Sequence, residues 1–261
     1  MSRTPEEAAA LIWQHWEDGT VLDQLPEPSK PRTRAAGYAI QAHLERFSEH
    51  PRAGWKIAAT STAGQNHINV DGPLAGRLLA EKIHSPGAEV SMAGNRMAVA
   101  EPEFAFRFGD GLPARGKEYS QEEVLAAVAS LHLAIELPDS RFSDFTAVGG
   151  PSLIADNACA RDLVIGPPVS ADWRGLDLAA HQVHCTVGSR YTRDGVGANV
   201  LGDPRLALAW CVNEISALGI DIRPGEVVTT GTCAVPLEIQ PGDHVNADFG
   251  VLGQISVQLT V

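Results

Sequence analysis

Apolar residues recur at helical spacing near the start of the chain. Ala8, Leu11, Ile12 and Trp16 fall on one side of a 3.6-residue repeat. Ahead of them, Thr4-Pro5-Glu6-Glu7 supplies an N-cap residue, a proline at the first helical position and a capping-box glutamate. A helix is predicted from Pro5. Three prolines between Leu25 and Arg32 (Pro26, Pro28 and Pro31) require a loop. Ala36, Ile40, Leu44 and Phe47 then mark a second helix over Thr33 to Glu49. From Gly54 the texture changes to short runs and turns, with Gly72-Pro73, Gly76 and Pro86-Gly87 breaking up Asn66 to Gly87. Met97 to Phe108 and Leu131 to Leu137 alternate, which predicts strands. Ser120-Gln121-Glu122-Glu123 caps a helix through about Ser130, and Asp203-Pro204 opens another that stops at Gly219. The tail, Glu226 to Val261, reads as strand and turn.

Helices are thus few, and the strands do not alternate with them regularly, which argues against a doubly wound sheet. The pattern predicts an α+β chain. An N-terminal helical segment, 1–53, leads into a mixed β-roll or barrel-like domain, 54–261. At 261 residues the chain can bury a core without staples. With 44% hydrophobic and 20% charged residues it is of ordinary globular composition, so disorder is excluded for the chain as a whole. Lys plus Arg number 20 and Asp plus Glu 32, a net charge of −12 with no basic cluster, so no nucleic acid partner is expected. No apolar stretch approaches the ~18–20 residues of a membrane span. Met1 to Asp18 carries Glu6, Glu7, Glu17 and Asp18 and lacks the basic-then-apolar order of a signal peptide. Cys159, Cys185, Cys211 and Cys233 are widely spaced with no Cys-x-x-Cys pair, and read as reduced thiols of a cytoplasmic protein.

Four segments stand out chemically. In Ala100-Glu101-Pro102-Glu103-Phe104-Ala105-Phe106-Arg107-Phe108, strand alternation puts Glu101 and Glu103 on one face and the three phenylalanines on the other. Two carboxylates roughly 7 Å apart on a half-buried strand repel unless a cation sits between them, and a divalent ion with a preference for oxygen would serve. Pro102 points to an edge or a bulge. Glu136 lies in the apolar run Leu131 to Leu137, where an unpaired carboxylate costs several kcal/mol. It must be neutralised, paired or metal-bound, and Arg141 is the nearest ion-pair candidate. Lys56, in Gly54-Trp55-Lys56-Ile57, either snorkels or is aimed into a site to hold an anion. Asp156-Asn157, flanked by small residues, is compatible with a lining loop or with an Asx-turn. Other patterns fail. Gly195-Val196-Gly197 leads to Val200 where a dinucleotide fingerprint needs glycine. His181 and His184 would point to opposite faces of a strand, which excludes a shared metal. Ser61, Ser152 and Ser189 lack a nucleophile elbow.

Taken in order, Trp-Lys-Ile at 55–57, Glu-x-Glu at 101 and 103, Glu-x-x-Asp-Ser-Arg at 136–141 and Ala-Asp-Asn-Ala at 155–158 form one series. Val228-Thr229-Thr230-Gly231-Thr232 and then Pro241-Gly242-Asp243 complete it. This series resembles the 2-keto-4-pentenoate hydratase and 4-oxalocrotonate decarboxylase family of the fumarylacetoacetate hydrolase superfamily, from about residue 35 to the C-terminus. The resemblance implies the superfamily's C-terminal type of β-roll. It implies Mg²⁺ or Mn²⁺ on Glu101, Glu103 and Glu136, and Lys56 as the active-site lysine. It further implies substrate-binding positions at Ser61, Leu74, Asp156, Asn157 and Thr232. The family's substrates are 2-oxo or 2-hydroxydienoic acids, and its members are usually homo-oligomers. In the hydratase pattern an aspartate that pairs with the lysine stands where this chain has Leu74. Asp71, three residues earlier, is the candidate to take its catalytic duty.

The activity so implied is a metal-dependent hydratase, a hydro-lyase that adds water to a 2-hydroxy-2,4-dienoate. A decarboxylase of a 2-oxo-3-enedioate would use the same site without adding water. An acylpyruvate C–C hydrolase would need a His-Glu pair that His43-Leu44-Glu45 does not supply at the right spacing. A non-catalytic partner subunit is the remaining alternative, and retained metal binding with no turnover would mark it.

Overall fold

The first helix begins where its capping residues place it. The structure, a computed structural model, describes residues 4–261. Helix α1 runs Pro5–Glu17, with Thr4 Oγ1 accepting the Glu7 N–H and the Glu7 carboxylate accepting the Thr4 N–H. Met1 to Arg3, where the leader reading starts, lie outside the described residues. Helix α2 spans Arg34–Ala42 and tightens into a 3-10 turn at His43–Arg46 that buries Leu44. The predicted second helix is therefore α-helical only in its first part.

The chain continues through β1 (Gly54–Ala58), α3 (Thr62–His67), β2 (Leu74–Leu78), β3 (Ile83–His84), β4 (Glu89–Ser91) and β5 (Val99–Phe108). Next come α4 (Gln121–Ala127), β6 (Val128–Leu137), α5 (Gly150–Ala155), β7 (Asp162–Ile165), β8 (Gln182–Val187) and β9 (Tyr191–Val196). The chain ends with α6 (Pro204–Ala217), β10 (Val227–Thr232), β11 (Leu237–Glu238), β12 (His244–Asp248) and β13 (Gln254–Thr260). Helix α4 stops three residues earlier than expected. Val128 already pairs with Phe108, so the sheet ladder takes residues that local propensity would leave helical.

Two sheets make the core. The larger is ordered β2-β1-β10-β5-β6-β7-β3, with β11 continuing alongside β5, and it curls into a half-barrel. The smaller is ordered β4-β13-β12-β8-β9. The outer face of the large sheet (Trp55, Ile57, Phe104, Phe106, Phe108, Leu133 and Ile135) packs on α6 and the second sheet, with Phe104 and Phe249 edge to face at 5.2 Å. The inner face is a separate apolar cluster of Leu78, Ala105, Ala134, Leu163 and Val227. It forms an aliphatic floor, above which the polar site lies. Strand β5 is interior, not an edge. The irregularity expected at Pro102 lies instead in the facing strand, where the β10 register shifts between Thr229 and Thr232.

The N-terminal segment is tied to this half-barrel. Gln41 Nε2 donates to the carbonyls of Ala75 (2.9 Å) and Ile154 (2.8 Å). The Arg141 guanidinium stacks 4.2 Å over the Trp16 ring. Among the described residues no helix is long and apolar enough to cross a membrane.

Candidate active site

Glu101 and Glu103 project from β5 and Glu136 from β6, where Glu101 pairs directly with Glu136. One carboxylate oxygen from each lies within 4.8 Å of the others. Glu103 and Glu136 are buried. Glu103 Oε2 accepts the Gly231 N–H at 2.8 Å, but Glu103 Oε1 and both oxygens of Glu136 accept no hydrogen bond. Burial, and then the Glu136 charge, push the Glu101 carboxyl up to about 7. Burial with the charges of Glu136 and Glu101 pushes Glu103 well above the usual carboxylate range. Three converging carboxylates, two of which resist ionising and two of which carry unpartnered oxygens, fit a hard divalent cation, which would neutralise the cluster and use those free lone pairs.

Lys56 rises from the inner face of β1 and is 2% exposed, so it does not snorkel. Its Nζ donates to the Ala158 carbonyl at 2.9 Å and lies 3.1 Å from Glu136 Oε1. Burial opposes its charge, but Glu136 and Glu101 outweigh this and hold its pKa above the ordinary value. Lys56 is therefore the ion-pair partner of Glu136. Arg141, the partner expected from sequence, binds Asp156 instead, Nε to Oδ1 at 2.5 Å, and donates to the carbonyls of Asp139 and Ala160.

Asp156 and Asn157 build the wall behind Lys56. Asp156 accepts from Ser140 Oγ (2.6 Å) and the Arg141 N–H (3.0 Å). Burial raises its pKa although Arg141 opposes this. Asn157 Oδ1 accepts the Arg77 N–H at 2.7 Å and Nδ2 donates to the Arg77 carbonyl at 2.9 Å, so its amide pairs with the open edge of β2 as a strand would. Both side chains are fully buried and committed to protein partners. What this segment presents to the site is the Ala158 carbonyl. Asn157, Ala158 and Cys159 have φ of 56°, 49° and 61°, a left-handed turn made without glycine. Such geometry costs about 1–2 kcal/mol per residue, and here it aims that carbonyl at Lys56. Gly76, paired with Lys56 across β1 and β2, leaves the room, since a Cβ there would run into the Asn157 carbonyl oxygen.

The other candidates are more dispersed. Asp71 is exposed on the turn before β2 and supports the charge of Arg34; the charges acting on Lys56 are Glu136, Glu101 and Glu103. Leu74 is fully buried opposite Ala58, on the face of β1 that carries Lys56. Ser61 caps α3, accepting the Gly64 N–H at 3.0 Å. Thr232 ends β10 opposite Glu103 and donates to the Ala234 carbonyl at 2.7 Å. His184 pairs with Asp194, and His181 bonds the Phe249 carbonyl; they share no site. The four cysteines are buried free thiols.

Sequence reasoning did not single out Gly231, Ala158 or Thr229. Gly231 has φ of 99° and abuts Thr60, so only glycine can present its N–H to Glu103 there. A glycine inside a β-branched run is the usual mark of such a bulge.

Residues 57–260 match the family described as fumarylacetoacetate (FAA) hydrolase C-terminal. A 2-hydroxyhexa-2,4-dienoate hydratase of Comamonas testosteroni is 33% identical over 254 residues, covering 95% of each chain. A 2-keto-4-pentenoate hydratase of Paraburkholderia xenovorans (strain LB400) is 28% identical, covering 97% of this chain and 94% of that one. Among solved structures, 4-oxalocrotonate decarboxylase from Pseudomonas putida G7, complexed with magnesium and adipate, superposes with a TM-score of 0.88 at 23% identity over 98% and 97% of the two chains.

Proposed function

The chain belongs to the fumarylacetoacetate hydrolase family, and from that premise we propose that it is a metal-dependent hydratase. In this reading it converts a 2-hydroxy-2,4-dienoate and water into a 4-hydroxy-2-oxo acid. The observation that carries the proposal is the cluster of three carboxylates, with unpartnered oxygens on Glu103 and Glu136, beside a buried lysine. Whole-length similarity to two hydratases supports the substrate class.

Glu101, Glu103 and Glu136 would hold Mg²⁺ or Mn²⁺. Such an ion, when bound, supplies Lewis-acid stabilisation of negative charge on a 2-oxo acid. Lys56 meets the anionic end of the acid, its ammonium aimed by Ala158 and Glu136. The apolar floor under the carboxylates keeps water from approaching from below. Ser61 and Thr232, near the ends of β1 and β10, are assigned to the acid's tail. Asp156 and Asn157 act through the wall that positions Lys56. Protonation of the dienol at its far end gives an α,β-unsaturated 2-oxo acid. Water then adds at the γ carbon and a proton at the carbon next to the ketone. Those transfers need an acid and a base, and Asp71 is proposed for this duty.

The test follows loss of dienol absorbance from 2-hydroxypenta-2,4-dienoate with and without Mg²⁺, and identifies the product. Metal-dependent formation of 4-hydroxy-2-oxopentanoate, abolished in Glu103→Ala and reduced in Asp71→Asn, supports the reading. Metal binding without turnover overturns it. One observation favours a second reading. Leu74 is apolar and fully buried where the hydratase pattern has an acid–base aspartate, and decarboxylation of a 2-oxo-3-enedioate needs no water addition. A 4-oxalocrotonate decarboxylase of Pseudomonas sp. is 27% identical over 221 residues. That enedioate is the substrate to try next.

A further inference from the structure

Three threonine hydroxyls fall within four residues of β10, and two have partners. Thr230 Oγ1 donates to the Phe104 carbonyl at 3.1 Å and Thr232 Oγ1 to the Ala234 carbonyl at 2.7 Å. Thr229 is 0% exposed, and its Oγ1 has no hydrogen-bond partner. A buried hydroxyl left in that state costs about 1–3 kcal/mol, whereas a valine of the same shape would carry no such penalty. The hydroxyl is thus an expense to the resting fold, and its surroundings show a use for it.

Strands β1 and β10 are parallel, with Gly54 opposite Val227 and Trp55 opposite Val228; Lys56 and Thr229 are the next residues on each strand, so the register carried one step further sets them alongside each other. On its other side Thr229 pairs with Ala105, whose small side chain belongs to the inner floor. Thr229, Lys56 and Glu103 therefore share the concave face of the sheet. An ammonium has three N–H groups. For Lys56, one is given to Ala158, and Glu136 Oε1 lies 3.1 Å from the ammonium as its ion-pair partner. The β2 flank offers nothing more, since Gly76 is the residue paired with Lys56 there, and Leu74, opposite Ala58 on the same face, is apolar. Thr229 is the polar side chain on the remaining flank. A cation shared among the glutamates would draw on the charge of Glu136 and slacken its hold on the ammonium.

We propose that Thr229 is a positioning residue for Lys56, its hydroxyl taking the third ammonium N–H, directly or through one water molecule, and steadying that group against the bound acid. The proposal rests on the reading of Lys56 as the residue that meets the substrate. It also places the lysine's polar neighbour on β10, where the hydratase pattern places one at the position of Leu74 on β2.

The test compares Thr229→Val and Thr229→Ser with the parent protein. Thr229→Ala replaces the valine variant if that one does not fold. Removing a hydrogen bond to a charged group predicts about a tenfold fall in kcat for Thr229→Val. KM and Mn²⁺ affinity, read by electron paramagnetic resonance, stay near the parent values. The metal-free variant melts no lower than the parent, and Thr229→Ser restores kcat. A valine variant with parental kcat, a parallel loss of Mn²⁺ affinity, or no rescue by serine overturns the proposal. A readout independent of turnover is the ¹⁵N–¹H signal of the Lys56 ammonium with Mg²⁺ and pyruvate present. A signal protected in the parent and in Thr229→Ser but lost in Thr229→Val supports the role, and an unchanged signal sinks it. If the parent hydrates no dienoate, the proposed reaction fails, and this signal still decides the role of Thr229.

Discussion

Asp156 is a buried carboxylate held by Arg141 and Ser140. Removing it in Asp156→Ala leaves the Arg141 guanidinium buried without its counter-charge, a situation that costs about 3–5 kcal/mol. Urea unfolding should show a loss of that size, and a loss below about 1 kcal/mol would mean that Arg141 finds another partner. At this scale the sequence was informative about which residues matter and not about whom they meet. A glutamate in an apolar run is conspicuous, and so is a lysine between a tryptophan and an isoleucine. Their pairing depends on the half-barrel bringing β1 and β6 to the same concave face. Arg141, only five residues beyond Glu136, is carried away from it by the irregular stretch from Pro138 to Ser140 and stacks on Trp16 of α1.

Elements with their own local signals were legible. The capping boxes at Thr4 and Ser120 and the Asp203 cap start helices where the spacing puts them. Helices α3 and α5, at six residues each, are too short to show a period. The left-handed turn at Asn157 to Cys159 gives no warning, because turns of that hand normally announce themselves with glycine. Its clearance is set on another strand, at Gly76. Gly76→Ala should cost roughly 1–3 kcal/mol, the range for overpacking a tight interior. It should also lower kcat, because the displaced Asn157 backbone carries the Ala158 carbonyl away from Lys56. A variant that is destabilised yet retains full kcat would separate the turn from catalysis.

For the molecule as a whole, the periodicity and the absence of regular β–α alternation were enough to reach an α+β roll. They do not reveal that the large sheet has two differently furnished faces, one rich in aromatics toward α6 and an aliphatic one under the carboxylates. A cation bound only by the folded state stabilises that state by mass action, about 2.7 kcal/mol at one hundred times its Kd. At about 2–4 °C per kcal/mol for a chain of this size, Mg²⁺ or Mn²⁺ should raise Tm by roughly 5–10 °C. Chelation should reverse the rise and Glu103→Ala should abolish it; an equal rise in that variant would place the ion elsewhere. The bonds of Gln41 to Ala75 and Ile154, and the stacking of Arg141 on Trp16, have a consequence for anyone who would trim the protein. A cut between residues 53 and 54 follows a change of texture along the chain, but it passes through the masonry of the pocket. The shortened piece would keep the three clustered glutamates and lose the buttress behind the lysine, so a pocket intact in its acids would stand with its back wall unsupported.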